Sequence, residues 1–112
     1  MAKRKAPDLS VSGLRVAVTA GAAGIGRVIA EAFADGGAHV EVCDVATDAL
    51  ADLKKMRPDI SGHLADVADP KAIARFFAKA TKAGLDVLVN NAGIAGPTAP
   101  IDEIDPKDWH AT

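Results

Sequence analysis

Apolar positions along the chain alternate between two spacings. Leu14 to Ala20 (LRVAVTA) is a short apolar, β-rich run that ends at glycines, which predicts a buried strand. Past the glycines, Ile25, Val28, Ile29, Ala32 and Phe33 recur at i, i+3, i+4, i+7 and i+8. That spacing predicts a helix with these five on its apolar face and Arg27, Glu31 and Asp35 outside it. Gly36 and Gly37 supply a C-terminal stop. Ala38 to Asp44 (AHVEVCD) is a second strand. A shorter helix follows, with Leu50 and Leu53 inward, Asp48, Asp52, Lys54 and Lys55 outward, and Pro58 ending it.

Ile60 to Asp66 (ISGHLAD) is a weaker third strand whose Gly62 and polar residues suit a sheet edge. Asp69 and Pro70 form a cap-plus-proline start, and Ile73, Phe76, Phe77 and Ala80 make the inward stripe of a third helix. Leu85 to Asn91 (LDVLVNN) is nearly continuous in apolar residues, as expected of a central parallel strand covered on both faces. At the end, Asp105, Pro106 and Asp108 (DPKDWHAT) read as the start of a fourth helix. The order β-α-β-α-β-α-β, without internal linker or repeat, implies an α/β fold with a parallel sheet and right-handed crossovers.

Composition narrows the classes. The 112 residues are 49% hydrophobic and 25% charged, as in a folded domain. A net charge of −2 argues against general nucleic-acid binding. The single cysteine, Cys43, excludes an internal disulfide and a Cys-rich zinc site, and no metal site is expected. No run approaches ~18 consecutive apolar residues, so a soluble, cytoplasmic protein without a membrane partner is expected. Residues 1–12, with Lys3, Arg4 and Lys5, read as a flexible basic tail.

Three stretches carry candidate chemistry. VTAGAAGIG (Val18 to Gly26) places Gly21, Gly24 and Gly26 between a strand and a helix. Glycines there allow close backbone approach and aim the helix's free N–H groups and positive dipole end at a phosphate. The spacing G-x-x-G-x-G is neither the G-x-G-x-x-G fingerprint nor a Walker A loop. Asp44, eighteen residues past Gly26, ends the second strand, where a carboxylate accepts from ribose hydroxyls and repels a 2′-phosphate. Neither Ala23 nor Val45 offers a basic residue to that phosphate, which favours NAD over NADP. NNAG (Asn90, Asn91, Ala92, Gly93) follows the fourth strand, at the end of the sheet where ligands lie in open α/β folds.

With these motifs in order, joined by ADV (Ala65 to Val67), LVNNAGI (Leu88 to Ile94) and GPTAPIDEIDPKDW, the chain resembles the N-terminal half of a short-chain dehydrogenase/reductase. The resemblance implies a Rossmann-like doubly wound parallel sheet. It is incomplete here, with about four strands, three helices and the start of a fourth, so residues 13–112 are a partial NAD-binding domain. It further implies that Gly21, Ala23, Gly24, Ile25 and Gly26 surround the pyrophosphate and nearby ribose. Asp44 would select the NAD ribose, Asp66 and Val67 would contact adenine, and Asn90 to Gly93 would line the adenosine side. The family loop usually reads Thr-Gly-x-x-x-Gly-x-Gly. Here Ala20 holds the first glycine position, and Gly21 is expected to absorb the tight turn.

The implied activity is hydride transfer between a nicotinamide cofactor and a small alcohol or carbonyl, in what are usually homo-oligomers. The family's acid–base tyrosine, in Tyr-x-x-x-Lys, has no counterpart: the sequence contains no tyrosine. No catalytic residue is therefore assigned; His110 is expected on the outside of its helix, His39 and His63 are expected as ordinary strand residues, and Cys43 as a buried hydrophobe. The expectation is a chain cut between cofactor recognition and catalysis, inactive alone. Two alternatives come from other classes. One is a non-catalytic nucleotide-binding module, or a half-domain completed by a partner chain. The other is an S-adenosylmethionine-dependent methyltransferase, against which LVNNAG and the loop spacing argue.

Overall fold

A computed structural model describes residues 9–94 and 99–111. The basic cluster Lys3 to Lys5, the middle of the Gly93 to Pro100 segment and Thr112 lie outside the described residues. Four strands, β1 (Arg15–Thr19), β2 (His39–Asp44), β3 (Ser61–Leu64) and β4 (Val87–Val89), form one sheet in the order β3-β2-β1-β4. All pairs are parallel, with Val16 opposite both Val40 and Val87. Helices α1 (Gly24–Asp35), α2 (Thr47–Met56) and α3 (Pro70–Ala80) join successive strands, and α4 (Pro106–Ala111) follows a short 3-10 turn. This is the expected Rossmann-like α/β arrangement, with β3 at an edge.

Strand alternation divides the core. Val16, Val18, Val40 and Val42 point to one face and meet Ala30 of α1 and Leu53 of α2. Ala17 and Cys43 point to the other and meet Phe76 and Ala80 of α3. Leu53 is fully buried, worth roughly 1.5–3 kcal/mol relative to exposure. The α3 start forms as read: the Asp69 carboxylate caps it by accepting from the Lys71 N–H at 3.0 Å, ahead of Pro70. Asp105 does the same for α4, accepting from the Lys107 N–H at 2.8 Å.

One expectation is corrected. The inward face of α1 is Gly26 and Ala30, flanked by Phe33 and Ala34, while Ile25 and Val28 are 75% and 66% exposed and Ala32 is also exposed. The apolar spacing misplaced Ile25, Val28 and Ala32, while Phe33 packs against the core as expected and Ile29 is half-buried, because the backbone sets the side that faces the sheet. The α carbon of Gly26 packs so closely on the Ala20 carbonyl that a Cβ would lie 2.1 Å from its oxygen, which turns that side of α1 toward the sheet. Strand β4, whose apolar run has the pattern of a central strand, pairs only with β1, spans three residues and leaves Leu88 41% exposed, so among the described residues it is a sheet edge.

Candidate functional site

In this strand order the chain reverses direction across the sheet between β1 and β4, and a crevice opens outside the carboxyl ends of the strands at such a switch point. A cleft of about 400 Å³ lies there. Five of the sequence-derived residues line it: Asp44 at the end of β2, Asp66 and Val67 after β3, and Ala92 and Gly93 after β4. Ala20, Val45, Ala65, Ala68, Ile94 and Ala111 complete the wall and were not assigned to the cofactor site from the sequence. The available signal was positional, since Ala20, Val45 and Ala65 each stand directly after the carboxyl end of a strand. The lining contains two carboxylates and no basic side chain.

Of the glycine loop, Ala20 lines the cleft, whereas Gly21, Ala23, Gly24, Ile25 and Gly26 do not. Ala20 has φ +52°, so it takes the tight left-handed turn itself, where Gly21 was expected to absorb it. Gly21 is required for space instead: a Cβ there would lie 2.6 Å from Val42 Cγ1. Helix α1 starts after an extended Ala23, and neither a capping side chain nor a first-turn acid meets its N-terminus. Ala23, Gly24 and Ile25 are exposed there, which leaves the first-turn N–H groups and the positive dipole end open to an anion.

Asp44 is fixed by the backbone around it. One carboxylate oxygen accepts from the Ala22 N–H at 3.1 Å, and the other from the Val45 and Ala46 N–H groups at 2.8 and 3.1 Å. The glycine loop is thereby tied to the end of β2. Asp66 makes a local turn by accepting from the Ala68 N–H at 2.9 Å.

The β4 side is tied to β1 through Thr19, the buried polar residue of the described core. Its hydroxyl accepts from the Asn91 and Ala92 N–H groups at 3.0 and 2.9 Å and donates to the Val89 carbonyl at 3.4 Å. The Asn91 side-chain amide donates to the Ala20 carbonyl at 3.2 Å, so it faces the loop, while Asn90 is exposed. Gly93 faces open space.

Other chemistry-bearing residues are occupied elsewhere. His63 Nε2 lies 2.6 Å from the Glu41 carboxylate, with its ring edge-on to Phe76, and His110 is exposed on α4. Burial pushes the Cys43 thiol above its ordinary pKa; a hydrogen bond with the Ala20 backbone opposes this, and the Asp44 charge adds to the rise. Cys43 is thus a protonated thiol beneath the loop at neutral pH. Among the described residues no group of three or more His, Cys, Asp or Glu side chains is placed to hold a metal ion, and no helix is long and apolar enough to cross a membrane.

Comparison with known proteins brings the same segment forward. The family profile described as short chain dehydrogenase matches residues 15–112. Over 110 residues the chain is 36% identical to the short chain dehydrogenase/reductase dpmpG of Macrophomina phaseolina (strain MS6), covering 89% of this chain and 61% of that protein. It is 43% identical over 103 residues to the cis-4-hydroxycyclohexanecarboxylate dehydrogenase of Sinomonas cyclohexanicum, covering 85% and 41% respectively. With the D-threitol dehydrogenase of Mycolicibacterium smegmatis (strain ATCC 700084 / mc(2)155), identity is 38% over 111 residues, covering 94% and 42%. The chain therefore spans from about two-fifths to three-fifths of the length of these curated relatives.

Proposed function

The chain belongs to the short chain dehydrogenase family, and from that premise we propose that it binds a nicotinamide dinucleotide, NAD in preference to NADP, as the cofactor-binding part of an alcohol- or carbonyl-directed oxidoreductase. The observation that carries the reading is Asp44, a backbone-anchored carboxylate on a cleft wall that holds no basic side chain. The residues present fit such a ligand. Gly26 gives the loop a close approach that any Cβ would block, the N-terminus of α1 has no side-chain cap, and Gly93 leaves open space.

Gly21, Ala23, Gly24, Ile25 and Gly26 would hold the pyrophosphate and adjacent ribose through backbone N–H groups. A carboxylate offers about four acceptor positions, and three of those on Asp44 are filled by backbone donors. One position remains for a ribose hydroxyl. A phosphate in its place would meet the negative charge at close range, costing roughly 1–4 kcal/mol per unit charge at 4 Å for surroundings between water and a protein surface. Asp66 and Val67 would border the adenine, and Asn90, Asn91, Ala92 and Gly93 the adenosine side. When bound, the nicotinamide supplies a hydride acceptor or donor.

The alcohol or carbonyl class follows the family and the names of the two dehydrogenases above. Homo-oligomer formation and a cytoplasmic location belong to the same reading. The absence of tyrosine from the 112 residues supports a further part of it: the chain by itself binds the dinucleotide and does not turn it over. Calorimetric titration with NAD and with NADP tests the proposal. NAD is expected to bind at least tenfold more tightly, and Asp44→Ala to shrink that ratio. Equal affinity for the two, or no binding of either, would overturn it.

A further inference from the structure

Ala20 stands out because it is the one non-glycine residue with positive φ among those described. At φ +52° its side chain is disfavoured against the preceding and following backbone, so the conformation persists only where neighbours impose it. The neighbours that do so are identifiable. The Ala20 carbonyl accepts from the Asn91 side-chain amide at 3.2 Å and is pressed against Gly26 at the start of α1. On the other side, the Gly21 N–H donates to the Cys43 carbonyl at 3.2 Å.

Of these contacts, the Asn91 amide is the one made by a polar side chain from another loop. The backbone that carries it is also tied to the frame, since the Asn91 N–H donates to the Thr19 hydroxyl at the end of β1. Ala20 itself lines the cleft, and the residues after it carry the backbone groups that would meet a phosphate.

We propose that Asn91 is a positioning residue: its side-chain amide holds Ala20 in a strained left-handed turn, and that turn sets the glycine loop for the dinucleotide. The inference rests on the dinucleotide reading given above, but the clamp itself can be read without ligand. With the amide removed, Ala20 relaxes toward the right-handed region, and the N–H groups of the loop and the α1 start lose the geometry they hold beside Ala20. Glycine at position 20 is at ease in the left-handed turn, so it keeps the loop in place with or without the clamp.

A double-mutant cycle on the full 112-residue chain separates this role from a merely structural one. For NAD affinity by calorimetry, Asn91→Ala is expected to weaken binding about tenfold, the disadvantage of alanine in a left-handed turn. Ala20→Gly alone should change it less than about threefold, and the A20G/N91A pair should return to within about threefold of A20G. In urea unfolding without ligand, A20G should raise the midpoint in the wild-type background. It should raise it distinctly less beside N91A, where cutting the clamp has already released the strain. Asn91→Asp, which keeps the shape but turns an acceptor toward the Ala20 carbonyl, repeats both arms should N91A fold poorly. The proposal is overturned if A20G fails to restore affinity in either Asn91 variant, or if it raises the unfolding midpoint equally in both backgrounds. Should the wild-type chain bind no NAD, the dinucleotide reading falls and the unfolding cycle alone decides on the clamp.

Discussion

Replacing Thr19 by valine keeps the shape of a buried side chain and removes one hydroxyl, which isolates the link between β1 and the Asn91–Ala92 turn. In the native chain that hydroxyl is 3.0 Å from the Asn91 N–H and 2.9 Å from the Ala92 N–H. The two donors fare differently once it is gone. The Asn91 N–H keeps a second acceptor, the Val89 carbonyl at 3.1 Å. The Ala92 N–H loses its acceptor, and an orphaned buried donor costs about 1–3 kcal/mol. The lost share at Asn91 and the Val89 carbonyl adds roughly 1 kcal/mol, and burial of the extra methyl returns about 0.8 kcal/mol. Half-exposure of Ala92 places the donor's cost in the middle of its range, so the net loss is about 2 kcal/mol.

Thr19→Ser makes the opposite change, keeping the hydroxyl and losing a methyl, for about 1 kcal/mol. The assay is urea unfolding followed by far-UV circular dichroism, with the slope checked for constancy across variants. T19V should be the less stable of the two, against the order that hydrophobicity alone would give. A T19V chain as stable as T19S, or more so, would refute the claim that the hydroxyl organises this end of the cleft.

The orientation of α1 gives a paired test: Val28→Lys, on the exposed side, should stay within about 0.5 kcal/mol of wild type, whereas Ala30→Leu should cost about 1–3 kcal/mol by overpacking. A larger loss at Val28 than at Ala30 would reverse the orientation. Cys43 should react slowly with a thiol reagent in the native chain and rapidly in urea. Because folding raises its pKa, its contribution is complete below about pH 8.5, the ordinary thiol value, and is lost as pH rises through the folded value. Cys43→Ala should therefore flatten the alkaline fall in unfolding midpoint, and an unchanged fall would assign it to other groups.

The readable part of the fold lay in local chemistry. Asp69 with Pro70, and Asp105 with Pro106, marked helix starts because a carboxylate acceptor and a fixed φ act within three residues of themselves. The valines of β1 and β2 marked buried strands because a parallel sheet covers both faces. Gly26 and Asp44 were recognisable by their places at the ends of elements. The inward side of α1 was not recognisable that way. Ile25 and Val28 have the larger side chains, but the side that faces the sheet is set by how closely the Gly26 backbone meets the Ala20 carbonyl.

The cleft shows the same division. From its residues in order, the chain determined its α/β class, the position of its glycine loop and the acidic end of β2, since each depends on spacing along one segment. Tertiary structure decided that Ala20 and not Gly21 makes the left-handed turn, and that Thr19 and Asn91 brace the loop from across the sheet. It also decided that Val45 and Ile94 share a wall with Asp44. Those outcomes depend on distances between segments some 20 to 70 residues apart, which periodicity cannot carry and which only close packing of backbone on backbone settles.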